Sequence, residues 1–128
     1  MIFDDAEREY LSDQRLGRLA TVDAKGIPQN SPVGFSVDYE AGTIDIAGWN
    51  MGASRKFRNV RQQGGVAFVV DDIASVNPWR VRGVEIRGVA EALTEPQREI
   101  IRIHPHWIFS WGLDDPDHPK GWIRRLAT

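Results

Sequence analysis

The segment from residue 46 to residue 70 carries the clearest chemical signal in the sequence. It contains no Asp or Glu, although the chain has 18 acids and 16 bases, and its four cations are Arg55, Lys56, Arg58 and Arg61. Ser54 is a favourable N-cap and Gly64 a favourable helix end. Three cations therefore fall in the first helical turn, which the helix dipole already makes positive. Such a turn attracts phosphate, and the glycines of residues 48–52 let backbone approach a ligand. We predict an anion site here; a solvated charged face is the plainer alternative.

The histidines form a rival candidate site. His104 and His106 are two apart on a predicted strand, so their rings should point the same way, and His118 with Asp114 or Asp117 would complete a facial metal set. Pro105 interrupts the pair, and the acids follow in a loop without fixed spacing. An H-x-H pattern alone is weak evidence for a metal. We predict that these histidines are strand residues or line a partner's pocket, and that no metal is bound.

No sequence motif for side-chain catalysis is present. The chain has no cysteine, no G-x-S-x-G, no Walker sequence and no G-x-G-x-x-G opening a helix after a strand. Glu85 and Arg87 are expected to pair with each other, and no residue stands out as a general acid or base. This pattern favours a cofactor that brings its own reactivity.

Two of the five tryptophans are candidates for contact with a planar ring. Trp49 immediately precedes the basic helix, and Trp79 opens a long strand after a proline. The other three, Trp107, Trp111 and Trp122, are predicted to belong to the core or to a dimer surface, because Trp is first of all a core and interface residue.

Composition limits the class of protein. With 128 residues, 41% hydrophobic and 27% charged, the chain is expected to form one globular domain, residues 1–128. The net charge of −2 argues against a nucleic-acid binder, and the longest apolar run, Val66 to Val70, is too short to span a membrane. The first residues lack the cationic and apolar regions of a secretory signal, so a cytoplasmic location is expected.

Hydrophobic patterning predicts a mainly β (α+β) fold: a six-stranded antiparallel split β-barrel, closed, with an N-terminal helix and one interposed helix. Pro28 and Pro32 cannot donate to a ladder, so their strand should lie at an edge, or where its backbone faces a ligand or a partner chain. Residues 71–78 are predicted to be a loop, and Trp122 to Thr128 a tail. The predicted helices are 4–16 and 55–63, and the predicted strands are 18–22, 27–37, 43–47, 66–70, 79–93 and 100–111.

The order of these features resembles the pyridoxamine-5′-phosphate-oxidase-like, FMN-binding split β-barrels, and in particular their deazaflavin-dependent branch, which uses coenzyme F420. The matching stretches are residues 19–22 with the turn 26–29, residues 31–33, the basic helix 54–60 with the strand 66–70, and residues 101–103 and 110–114. One departure is the brief connection Thr94 to Glu99, where family members often carry a longer insertion.

The resemblance implies a homodimeric, F420-dependent oxidoreductase that transfers a hydride between the deazaflavin and an electrophilic small molecule. It places the cofactor phosphate and tail along residues 49–58, with Lys56 prominent, and the ring against residues 29–33. The resemblance also implies that the aromatic side chain at position 79 reaches the cofactor site from the second subunit. The implied cofactor-binding residues are Gln29, Ser31, Pro32, Val33, Trp49, Asn50, Met51, Ser54, Arg55, Lys56, Arg58 and Trp79, and no side chain is implied as catalytic.

Three alternatives stay open on the sequence. FMN is the alternative cofactor, although a track of four cations without an acid suits a phosphate and polyglutamate tail better than one phosphate. A carrier of the same fold could hold a flavin or tetrapyrrole without turnover. A basic helix could instead contact nucleic-acid backbone, which steep salt dependence of binding would reveal.

Overall fold

One curled antiparallel sheet forms the body of the protein. The computed structural model describes residues 2–96, 98–113 and 122–126. The strands are β1 (Leu16–Val22), β2 (Pro28–Gly34), β3 (Ser36–Asp38), β4 (Thr43–Ile46), β5 (Gly65–Ser75), β6 (Arg80–Glu95), β7 (Arg98–Trp111) and β8 (Trp122–Arg125). Seven of them follow one another in the sheet in the order β2-β1-β5-β6-β7-β4-β3, and β8 pairs with β7 beside this path. The helices are α1 (Asp5–Ser12) and α2 (Arg55–Gln62), the latter preceded by a short 3-10 helix, Met51–Ala53.

The predicted mainly β fold with two helices is confirmed, but the predictions of six strands and of a closed barrel are wrong. Residues 27–37, predicted as one strand, divide at Phe35 into β2 and β3, which lie at opposite ends of the strand order. The two sheet edges therefore adjoin at Phe35, and no ladder joins them. Phe35 packs its ring edge-on against Phe68, with centroids 5.2 Å apart. The proline-containing strand β2 is an edge strand, as predicted.

Further boundaries differ from the predicted ones. Helix α1 ends at Ser12 instead of residue 16, and β1 begins at Leu16 instead of residue 18. The loop expected from Asp71 is a continuation of β5 to Ser75, because Asp71 and Asp72 form ion pairs with Arg18 and Arg82 on neighbouring strands. The predicted tail contributes β8, whose ladder with β7 runs from residue 122 to residue 125. Cross-strand partners of this kind cannot be read from a local pattern. No helix in the described ranges is long and apolar enough to cross a membrane.

The inner face of the sheet forms the core. Alternate residues along β6 face the core, since Val84, Ile86 and Ala90 are buried. Helix α2 covers one end of this core with Phe57 and Val60, both buried. The predicted pair of Glu85 and Arg87 also forms, at 3.0 Å on the outer face.

Helix α1 is fixed to the sheet by polar contacts. The hydroxyl of Tyr10 donates to Asp72 Oδ1 at 2.9 Å, and Arg82 holds both oxygens of the same carboxylate. Burial raises the pKa of Tyr10 above its ordinary value, and hydrogen bonding to Arg82 holds the pKa of Asp72 below its usual range. Ser110 donates to the buried carboxylate of Glu7 at 2.8 Å. These contacts give α1 a structural role.

A β-bulge between β6 and β7 leads to a stability prediction. At the register shift, Gly88 lies opposite Pro105, and a Cβ at position 88 would overlap the backbone carbonyl oxygen of His104. Gly88→Ala should therefore lower the free energy of unfolding by about 1–3 kcal/mol, the range for overpacked sites. Denaturant unfolding measures this change. In Gly34→Ala, the matched control, the nearest atom is Arg15 O at 3.9 Å; equal losses in the two variants would contradict the prediction.

Candidate functional site

The N-terminus of α2 presents unused backbone donors. The Ser54 hydroxyl caps the helix by accepting from the Phe57 N–H at 3.2 Å, and it donates to the Met51 carbonyl oxygen at 2.6 Å. The first helical backbone bond runs from Arg58 N to Ser54 O. The N–H groups of Arg55 and Lys56 precede that bond, so they have no partner within the helix. The Ser54 side chain thus stabilises the helix, while the backbone N–H groups of Arg55 and Lys56 remain available to a ligand at the helix N-terminus.

The cations of this turn lack acidic partners. Within the described residues, no carboxylate oxygen lies within 4.0 Å of the charged nitrogens of Arg55, Lys56 or Arg58. Arg55 and Arg58 are exposed and Lys56 is half-buried. Arg61 differs, because its guanidinium lies over the Phe57 ring at 5.0 Å. Three uncompensated cations and two backbone donors form a donor set that suits phosphate or carboxylate.

The loop before α2 is largely solvent-exposed. The Trp49 side chain is 95% exposed, and Asn50 has a left-handed backbone with φ 56°. Met51 is buried in the core, so only its backbone is available to a ligand. A Cβ at Gly52 would overlap the carboxylate of Glu99. Strand β7 therefore brings an acid to a loop that has none in its own sequence, and the sequence reasoning missed it.

Strand β2 presents two polar side chains on the face that meets α2. Gln29 and Ser31 are half-buried and Val33 is buried, whereas Asn30 and Pro32 lie on the opposite, exposed face. Gln29 Nε2 donates to Ser31 Oγ at 3.4 Å. Of the four predicted residues of this strand, the structure gathers Gln29, Ser31 and Val33 on one face, and it places Pro32 on the other.

Asn59 joins β2 to α2 and was not predicted. Its amide nitrogen donates to Thr21 Oγ1 at 3.0 Å and to Gln29 Oε1 at 3.2 Å, and the residue is only 3% exposed. Asn is unfavourable within a helix, and its position three residues after Lys56 places it on the same helix face as that cation. Those two features were the available signal. Through Asn59, the helix that carries the cationic turn is hydrogen-bonded to the strand that carries Gln29 and Ser31.

Together, the cationic turn and the polar face of β2 form a candidate binding surface, whose donors suit an anionic group. The residues that β2 and the first turn of α2 contribute to it include no Asp, Glu or His, and Glu99 approaches only the loop at Gly52. The arrangement therefore offers hydrogen-bond donors and positive charge, and neither of these two elements contributes a carboxylic acid or an imidazole to it.

Trp79 lies far from this surface within one chain. It is 64% exposed at the tip of the β5–β6 hairpin. In the ladders, Gln29 pairs with Thr21 on β1, and the neighbouring Ala20 pairs with Ala67 on β5. Gln29 therefore lies level with the start of β5, roughly ten residues from the hairpin tip. At about 3.3 Å per residue this is about 30 Å along the strand. Trp79 of the same chain therefore does not reach this surface.

The histidines do not form a metal site in the described residues. His104 Nε2 lies 2.6 Å from Glu91 Oε2, beside a small cavity lined by Thr43 and Pro105. The ladder skips His106, so the alternation that would align its ring with His104 is broken. No group of three or more His, Asp or Glu in the described ranges could hold a metal ion. His118, Asp114 and Asp117 lie outside the described residues.

Comparison with known proteins shows two relationships in sequence. Residues 3–103 match the family described as Pyridoxamine 5'-phosphate oxidase. The 5a,11a-dehydrotetracycline/5a,11a-dehydrooxytetracycline reductase of Streptomyces rimosus subsp. rimosus is 50% identical over 122 residues, which cover 89% of this chain and 86% of that protein.

Two solved structures share the fold. Protein Rv2991 from Mycobacterium tuberculosis has a TM-score of 0.72 at 23% identity, covering 88% of this chain and 86% of that one. The FAD binding protein from Mycobacterium smegmatis has a TM-score of 0.64 at 20% identity, covering 86% and 94%. At these identities the likeness concerns the fold alone.

Proposed function

Because the chain belongs to the pyridoxamine 5'-phosphate oxidase family, we propose that it is an F420-dependent reductase that transfers a hydride to an electron-poor double bond of a polycyclic small molecule. Its assignment as an oxidoreductase with a small-molecule substrate follows from the reductase that is 50% identical over 89% of the chain. That identity is the single observation that carries the proposal. The cofactor and the substrate are the proposed parts.

The residues of the site fit a phosphorylated, acid-tailed cofactor. A single phosphate requires one group of donors, such as the N–H groups of Arg55 and Lys56. Arg55, Lys56 and Arg58 together give more positive charge than one phosphate uses, and they have no acidic partner within the described residues. A tail of carboxylates beyond the phosphate would compensate that charge. This supports F420 over FMN.

The chain would act by binding and positioning. The turn at Arg55 and Lys56 would hold the anionic end, and Gln29 and Ser31 would orient the ring. When bound, reduced F420 supplies the hydride. Reduction of a carbon–carbon double bond also adds a proton to the second carbon, and we propose that water delivers it, because the described site places no side-chain acid there. Proximity and orientation then provide the rate enhancement.

Parallel titrations with two cofactors test the cofactor assignment. F420 and FMN are each added to the purified protein, and the change in cofactor fluorescence gives the two dissociation constants. The proposal expects F420 to bind at least tenfold more tightly than FMN, which corresponds to about 1.4 kcal/mol. Tighter binding of FMN would make the protein a flavin-dependent member of the family instead.

We further propose that the protein works as a homodimer through the outer face of its sheet. Ladder partners place several exposed apolar side chains on that face, away from the core. They are Leu16, Ile73, Val81, Val89 and Trp107, each between 39% and 58% exposed. Exposed apolar side chains gathered on one face are candidates for an interaction site, and the ion pair of Glu85 and Arg87 lies among them. A second copy seated on this face would also supply the Trp79 that one chain cannot bring to its own site.

Dimerisation leads to a concentration-dependent stability. If the dimer is the folded unit, the thermal midpoint should rise with protein concentration. Val81→Glu should lower that midpoint and abolish its concentration dependence, because it places a charge in the proposed interface. Ala24→Glu, in the exposed β1–β2 turn, is the matched control. Sedimentation of the unaltered protein as a folded monomer at micromolar concentration would contradict the proposal.

A further inference from the structure

A chain of hydrogen bonds runs from the buried side of α2 to the surface of β2. It links Thr21, Asn59, Gln29 and Ser31 at 3.0, 3.2 and 3.4 Å. We propose that Asn59 is a positioning residue that fixes the Ser31 hydroxyl as a hydrogen-bond donor toward the bound ring. This inference rests on the proposed function only in assuming that a planar cofactor lies against β2.

The direction of the chain begins at Asn59. An amide nitrogen can only donate, and both of its hydrogens are used, one to Thr21 Oγ1 and one to Gln29 Oε1. Because Asn59 is almost fully buried, exchanging these bonds for water would be costly. The oxygen end of the Gln29 amide is thereby fixed toward α2.

The nitrogen end of Gln29 must then face Ser31. It donates to the Ser31 oxygen, so the hydrogen of that hydroxyl remains available for another acceptor. Ser31 is half-buried on the face of β2 that meets α2. From Asn59 to Ser31, both bonds therefore run in the same donor-to-acceptor direction, and the chain ends in a donor at the proposed ring position.

This polarity selects the ligand atom that meets Ser31. A donor at the end of a fixed chain favours a ring carbonyl oxygen or an unprotonated ring nitrogen, and it disfavours a ring N–H. The edge of the heterocycle that faces β2 should therefore carry hydrogen-bond acceptors. Specificity of this kind is strong when the polar partners cannot reorient.

Two substitutions separate direction from shape. Gln29→Glu can only accept, so the Ser31 hydroxyl would donate to it and be lost to the ligand. Gln29→Met removes the contact but leaves Ser31 free to donate. We expect Gln29→Glu to weaken binding of oxidised F420 by about tenfold and to shift the absorption maximum of the bound cofactor, and Gln29→Met to weaken binding by about threefold or less.

A double variant separates the loss of the Ser31 donor from the effect of the negative charge that Gln29→Glu adds. In the Ser31→Ala background there is no hydroxyl to capture, so Gln29→Glu should weaken binding by no more than Gln29→Met does. Asn59→Asp, which can accept but not donate, should reverse the chain and reproduce the spectral shift of Gln29→Glu. Thermal midpoints identify any variant that fails to fold; the half-buried Gln29 variants keep the test valid if Asn59→Asp does not.

The outcomes distinguish this inference from the proposed function. Failure of the unaltered protein to bind F420 or FMN would overturn the proposed function. Normal binding by the unaltered protein, with equal losses in Gln29→Glu and Gln29→Met and no spectral shift, would overturn the role of Asn59 and Ser31 while leaving the proposed function intact. A Gln29→Glu loss that persists in the Ser31→Ala background would assign the effect to charge alone and would also overturn the inference.

Discussion

Replacing Lys56 by alanine should weaken F420 binding by about tenfold to a hundredfold. A hydrogen bond to a charged group contributes about 1.5–3 kcal/mol, and Lys56 is half-buried on the helix face that leads to Asn59 and β2. Fluorescence titration of the variant against the unaltered protein measures the change. Because Lys56 forms no ion pair with the described acids, the thermal midpoint should change little.

Two other cations serve as controls for Lys56. Arg61 lies over Phe57, so Arg61→Ala should weaken binding less than Lys56→Ala. Arg8 lies on α1 with its guanidinium over the Tyr39 ring, outside the proposed site. Arg8→Ala should therefore leave binding unchanged. A loss in Arg8→Ala equal to that in Lys56→Ala would show that general positive charge, and not the α2 site, controls binding.

Turnover should depend on the residues that position the ring and not on any histidine. Ser31→Ala and Trp79→Ala should lower kcat by as much as a hundredfold, because misplacing a bound reactant by about 1 Å has an effect of that order. His104→Ala, His106→Ala and His118→Ala should each retain most of the activity. Steady-state kinetics with reduced F420 and an enone acceptor separates the changes in kcat from those in KM.

A general acid would give the opposite pattern. Removal of one typically lowers the rate by about 10²- to 10⁴-fold. A histidine variant with a loss of that size and an unchanged cofactor dissociation constant would identify a proton donor. It would contradict the proposal that water delivers the proton.

Local patterns predicted the elements whose causes are local. The Ser54 cap and the Gly64 helix end predicted α2, and the missing N–H groups of Pro28 and Pro32 predicted an edge strand. The closed barrel was wrong because closure depends on whether two distant edges share a ladder. The chain instead crosses between those edges at Phe35, and a single residue gives no periodicity that would reveal a crossing.

The candidate site divides in the same way. Its cations, Arg55, Lys56 and Arg58, lie within four residues of sequence, so their uncompensated charge was visible. Asn59 and Glu99 became visible only through contacts with Gln29 and Gly52, which lie far from them along the chain. Trp79 shows the same limit, since its proposed place in the site depends on the proposed second copy. Long-range polar contacts need the folded topology before they can be recognised.

Anaerobic oxidation of reduced F420 tests the central claim most directly. The protein is mixed with reduced F420 and a 5a,11a-dehydrotetracycline, and the return of oxidised-cofactor absorbance is followed together with the mass of the product. The account predicts enzyme-dependent oxidation of one F420 for each substrate molecule that gains two hydrogens. Tight binding of F420 without oxidation by this or any other quinone, enone, nitro or tetrapyrrole acceptor would contradict it and would identify the protein as a carrier.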